Sequence, residues 1–193
     1  RDYRFERRNA ASDRVRDTTY DEKTWQLNVQ AGKTLRTEGS SWLQKFTYGF
    51  DYTHTNVETL QTGLTPAAGE TFPLKRFPDS KESSTAFYIQ DEIASDHWII
   101  TPGVRYDRYK LDASANGYAS SIAPASLNDA AVSPKLGVLF RATSEWSVFG
   151  NYASGFKAPD ASQVNSYRES GSFPFYKTIP NPDLRPATRR NFD

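Results

Sequence analysis

The stretch 131–152, AVSPKLGVLFRATSEWSVFGNY, switches between apolar and polar at almost every step. Val132, Pro134, Leu136, Val138, Phe140 and Ala142 share one parity. Ser133, Lys135, Gly137 and Arg141 share the other, with Leu139 the exception. A polar turn, Thr143-Ser144-Glu145, follows, and the alternation restarts at Trp146 with Val148, Gly150 and Tyr152. A period of two places successive side chains on opposite faces, so the segment is a pair of extended strands with one apolar face and one wet face. A tryptophan at the foot of such a strand suits the boundary between hydrocarbon and water.

The pattern recurs along the chain. From Thr24, Trp25, Leu27, Val29 and Ala31 alternate with Gln26, Asn28 and Gln30. After Glu38-Gly39-Ser40, Phe46, Tyr48, Phe50 and Tyr52 oppose Lys45, Thr47, Asp51 and Thr53. Further strands are expected at 84–93 and from Trp98 to about position 107, with the N-terminal RDYRFERR as a strand end and 9–21 as a loop. The connections 56–82, 112–129 and 155–185 are long, whereas the turns 38–41, 95–97 and 143–145 are short and each runs straight into Trp42, Trp98 or Trp146. Short turns with an aromatic ring at one end and long loops at the other describe an outer-membrane barrel. The competing reading is a soluble antiparallel sandwich with the tryptophans in its core. Strands of ~10–14 residues, against the usual ~5–6, argue for the barrel.

The expected fold is therefore all-β: an antiparallel transmembrane β-barrel segment of about seven or eight strands. A hydrophobic content of only 37 % is compatible with it, because one strand face alone meets lipid. No run reaches the roughly 18–20 apolar residues of a membrane helix. With 24 Lys+Arg against 23 Asp+Glu, the charge balance excludes a nucleic-acid binder held by phosphate electrostatics. The absence of cysteine excludes disulfides and thiolate metal sites. There is no methionine, the chain opens on Arg1, and both ends read as mid-strand. An open sheet edge in lipid leaves backbone groups unpaired. The expectation is that 1–193 is part of one barrel domain, a contiguous arc of a larger barrel cut from a longer protein.

No catalytic constellation emerges, and an enzyme is not expected. Asp91 and Glu92 are strand neighbours and point to opposite faces. Phosphate-binding glycine loops, HExxH and GxSxG are absent from the sequence. Gly49, Gly103, Gly137 and Gly150 lie inside strands and are expected to mark curvature or close approach by a plug within the barrel.

Three runs carry a family resemblance: SPKLGVLFRATSEWSVFGNYASGFKAP (133–159), TAFYIQDEI (85–93) and ITPGVRYDRYKLD (100–112). They resemble the barrel of TonB-dependent outer-membrane receptors. Two boxes narrow the resemblance: Phe156-Lys157-Ala158-Pro159, and Asn181-Pro182-Asp183-Leu184 followed by Arg185-Pro186. Heme-uptake receptors of this family carry a FRAP box and an NPNL box around one extracellular loop. FKAP and NPDL each depart from these by one residue, and many siderophore receptors carry a similar Arg-Ala-Pro box. The resemblance implies a receptor in the bacterial outer membrane that binds heme, free or from a hemoprotein, and imports it with energy from TonB. It also implies a plug domain, bearing the TonB contact, inside a barrel of roughly 22 strands. A ferric-siderophore receptor is the alternative, ahead of a passive porin or an outer-membrane enzyme.

Heme enters this reading as transported ligand rather than catalytic cofactor, with the lipid bilayer as a further partner and no nucleic acid. In many heme receptors a histidine between the boxes ligates the iron. Here 160–180 contains none and offers Tyr176 and Tyr167. Tyrosinate is an axial ligand for ferric heme. Tyr176 ranks first because it lies in the cluster FPFY. Arg168 and Lys177 each follow a tyrosine and suit heme propionates. Phe173 and Phe175 suit a porphyrin face. His97, in a short turn beside Trp98, and His54, outward at the rim, are expected to be ordinary surface residues.

Overall fold

The computed structural model describes residues 2–7, 13–36, 38–66, 71–118, 122–169 and 175–193. Alternating sequence becomes extended backbone in β1 (Asp2–Arg7), β2 (Asp13–Arg36), β3 (Leu43–Leu64), β4 (Ser80–Ala94), β5 (Trp98–Ala113), β6 (Leu127–Arg141) and β7 (Ser147–Lys157). After a short helix, α1 (Ala161–Asn165), come a small hairpin, β8 (Arg168–Glu169) with β9 (Lys177–Thr178), and a last strand, β10 (Ala187–Phe192). One 8-stranded sheet runs β1-β2-β3-β4-β5-β6-β7-β10. Every neighbouring pair is antiparallel.

The strands outrun the alternation. Residues 13–21, expected in a loop, belong to β2, where Tyr20 pairs with Thr59. The connections expected at 56–82, 112–129 and 155–185 shrink to 65–79, 114–126 and 158–186, because β3, β4, β5, β6 and β7 all extend into them. Beyond the lipid belt both strand faces are wet, so the apolar period disappears while the backbone ladder continues. The ladder is helped by β-branched residues such as Thr53, Thr55, Val57, Thr59 and Thr62.

Register aligns the apolar parity into rows. Val29, Phe50, Phe87, Tyr106 and Val132 are successive partners across five strands. Phe50 and Phe87 stack at 5.0 Å, Trp98 and Phe140 at 4.4 Å. Val29, Phe87, Ile89, Val104, Val132, Leu136, Trp98 and Trp146 are all exposed. A continuous exposed apolar face of this extent needs a covering phase, and lipid supplies it. Above Phe87 and Tyr106 the same parity carries Thr85, Ser83 and Lys81 on β4 and Arg108 and Lys110 on β5, so the belt stops there. His54 lies on this outward face, 6.1 Å from Trp25, as expected.

The opposite face is polar. Arg105 Nη1 meets Asp51 at 2.6 Å and its Nε meets Asp107 at 2.9 Å. Tyr88 donates to Gln30 at 2.9 Å, and Lys135 reaches Gln90. Leu139, the lone exception to the alternation, joins an inner apolar row near the short turns, with Ile99 and Phe149 as its direct partners and Leu43 and Ala94 further along.

Candidate functional site

At the long-loop end the chain leaves β7 and folds inward over the wall. Asp160 caps α1 on both sides: its carboxylate accepts from Gln163 N at 2.9 Å, and Gln163 Oε1 accepts from Asp160 N at 3.2 Å. This reciprocal pairing satisfies two donors that a helix start leaves orphaned. Ala161 N, the next donor, points to the wall and reaches Glu82 Oε1 at 3.1 Å.

The helix brings Ala161 and Val164 against Tyr109, Leu111 and Ala125, with Phe156, Ala158 and Leu184 packed on the cluster. Phe156 and Ala158 come from FKAP, Leu184 from NPDL. The two boxes thus close on one small core, the main buried apolar cluster of the described residues. Asn181 N donates to Val164 O at 2.8 Å, and its side chain accepts from Asp183 N at 3.1 Å, forming the turn that the box encodes. Lys157 and Asp183, where the boxes depart from FRAP and NPNL, are both exposed. The departures therefore leave the packing untouched.

Burial pushes the Glu82 carboxyl above its ordinary range. Donation from Ala161 and the nearby Tyr109 pull it back, while Asp160 and Glu22 push it further up. Burial likewise raises the Tyr109 phenol well above 10, with the Glu82 charge adding to the rise. The Tyr109 hydroxyl is buried beside Glu82. A cleft of ≈ 310 Å³ lies beside them, lined by Tyr20, Glu22, Phe77, Glu82, Asp160 and Ser162. A second, ≈ 210 Å³, opens between Tyr109, Leu127 and Pro159 on one side and Pro182, Leu184 and Pro186 on the other. Among the described residues no group of His, Asp and Glu could hold a metal ion.

The proposed ligand residues sit beyond this core. Tyr167 is half-buried: its N–H donates to Arg76 O at 3.0 Å and its ring meets Tyr118 edge-on at 6.3 Å. Lys177 lies 5.6 Å over the Tyr167 ring, placed there by the β8–β9 pairing of Glu169 with Lys177 and Arg168 with Thr178. Tyr176 is 44 % exposed and Phe175 75 %. Phe173 lies outside the described residues. Sequence reasoning missed Asn165, Tyr118 and Glu82, which hold this region together. Asp160 and Gln163, spaced as a capping box, were the available signal for α1.

An antiparallel sheet with a lipid-facing apolar belt, a polar inner face and inward-folded loops is a segment of a transmembrane β-barrel. Residues 1–193 match the family described as TonB dependent receptor-like, beta-barrel, and the chain belongs to that family. Among solved structures it resembles the Serratia marcescens hemophore receptor HasR, a double mutant in complex with its hemophore HasA and heme. That match has a TM-score of 0.67 at 15 % identity and covers 93 % of this chain and 31 % of HasR. The unliganded ferric citrate transporter FecA matches with a TM-score of 0.55 at 18 % identity, over 79 % of this chain and 24 % of FecA. The chain thus spans under a third of either receptor, and at these identities the likeness is one of fold.

Proposed function

We propose that the chain is part of an outer-membrane receptor that captures heme, free or from a hemoprotein, and imports it with energy supplied through TonB. The observation that carries this reading is the closure of the FKAP and NPDL boxes on one core beneath the loop bearing Tyr167 and Tyr176. The likeness to a hemophore receptor solved with heme supports it. In this reading the exposed Tyr176 is the first candidate axial ligand and Tyr167 the second, Phe175 and Phe173 pack on the porphyrin, and Arg168 and Lys177 meet its propionates. Ferric-siderophore uptake is the second reading, favoured by the likeness to FecA.

Hemin titration of the full-length receptor tests this. The expected result is a shifted Soret band and saturable binding, weakened roughly tenfold or more by Tyr176→Ala and less by Tyr167→Ala. An unchanged Soret band and affinity in both variants removes the tyrosines as ligands. Binding of a ferric chelate with no hemin binding transfers the protein to the siderophore reading.

A further inference from the structure

Asn165 is fully buried, and its side chain acts as a piece of β-ladder. Oδ1 accepts from Ala125 N at 2.7 Å and Nδ2 donates to Ala125 O at 2.8 Å. Its backbone carbonyl accepts from the Tyr118 hydroxyl at 2.8 Å. The residues around it reach out as well: Val164 O takes Asn181 N of the NPDL box, and Tyr167 N donates to Arg76 O. Residues 164–167 thus bond to three other segments: the loop 114–126, the loop 65–79 and the second box.

We infer that Asn165 is a positioning residue for ligand capture, locking the loop 114–126 to the loop that carries Tyr167 and Tyr176. The lock brings Tyr118, from a different loop, edge-on to Tyr167, so that Tyr118 forms a second wall of the same site. The inference rests on the reading that the loop 158–186 meets the ligand. An asparagine is required because only an amide side chain both accepts from the N–H and donates to the C=O of one residue at this reach. Aspartate keeps the shape and the acceptor but loses the donor and sets a charge against the Ala125 carbonyl. Alanine leaves both buried backbone groups of Ala125 orphaned. With the lock in place, contact at Tyr167 or Tyr176 restrains residues 114–126, about 40 positions earlier in the chain.

Amide hydrogen exchange on the full-length receptor in lipid nanodiscs, with and without hemin, tests the lock and the site separately. Without hemin, Asn165→Ala should speed exchange in 114–126 by roughly tenfold or more while β3 and β4 exchange at the wild-type rate. Wild-type exchange in that variant overturns the lock. With hemin, the wild type should gain protection in 114–126 and 158–186 together, whereas Asn165→Ala and Asn165→Asp should gain it in 158–186 alone and bind hemin more weakly. Protection confined to 158–186 in the wild type overturns the positioning role. If the wild type binds no hemin, the heme reading falls and the hemin-free arm still decides the lock. Should Asn165→Ala fail to insert, Tyr118→Phe carries the hemin-free arm. It keeps the ring and removes the hydroxyl that donates to Asn165 O, and unchanged exchange in 114–126 then counts against the lock.

Discussion

Gly49 and Gly103 show what a missing side chain does on the inner wall. Tyr88, on β4, passes its hydroxyl end close over Gly49 and reaches Gln30 on β2. Lys135, on β6, crosses Gly103 to reach Gln90 on β4. Where a plug was expected to approach, the nearest atoms at these two glycines are side chains of the sheet itself. A Cβ at Gly49 would overlap the Tyr88 phenol and stand 2.7 Å from Val29 O, which is backbone and cannot yield. At Gly103 it would stand 2.6 Å from Lys135 Cε, a flexible methylene. Gly49→Ala is therefore expected to destabilise the folded barrel by about 1–3 kcal/mol, and Gly103→Ala by less. Gly150→Ala, where the nearest atom is 3.9 Å away, is expected to change little. Urea midpoints of the full-length receptor refolded into vesicles would check the order, and equal midpoints for all three would contradict it.

At the scale of elements, α1 and the wall meet through one carboxylate. Glu82 accepts from Ala161 N while facing Asp160, Glu22 and Tyr109, and burial holds its proton above the ordinary carboxylate range near 4.5. A carboxyl whose folded value is raised binds its proton more tightly in the docked state. Docking of α1 therefore strengthens as pH falls through that raised value towards 4.5, and weakens as pH rises above it. Glu82→Gln keeps an acceptor for Ala161 N and removes the charge. It is expected to match or exceed wild-type protection of 158–169 at neutral pH and to lose the pH dependence. Hydrogen exchange corrected for its intrinsic pH dependence would show this, and a variant as pH-dependent as the wild type would refute it. The elements were unevenly legible in the sequence. Trp146, Val148 and Tyr152 announced β7 because one face of the strand meets lipid, whereas 15–21 carries no apolar alternation and is extended through its pairing with β3. The boxes were legible as a resemblance, but their packing on Tyr109 and Leu111 joins residues far apart in the chain and leaves no local trace. The five residues of α1 are too few for a helical period, so only its cap spoke. Asn165 looks like any loop asparagine until Ala125 is beside it.

For the whole molecule, the outward rows decide between a membrane arc and a soluble sheet. Val104 is 41 % exposed and lies inside the belt, flanked in register by Ile89 and Pro134. On a water-facing sheet, an arginine there would extend into solvent and change stability by about 0.5 kcal/mol or less. Facing hydrocarbon, the same guanidinium costs about 2–4 kcal/mol near the bilayer midplane and far less near either interface. Arg105, one residue away, already occupies the inner face paired to Asp51 and Asp107, so reversal of parity rather than charge itself is what the substitution tests. Val104→Arg in the full-length receptor is expected to lower stability in vesicles by about 2–4 kcal/mol, and Arg108→Val, above the belt, to leave it nearly unchanged. The same pair measured in thin and thick bilayers should separate further as the hydrocarbon deepens around Val104. Urea titrations of folded barrel in vesicles give both numbers, and a neutral Val104→Arg in every bilayer would mean that this apolar face does not meet lipid.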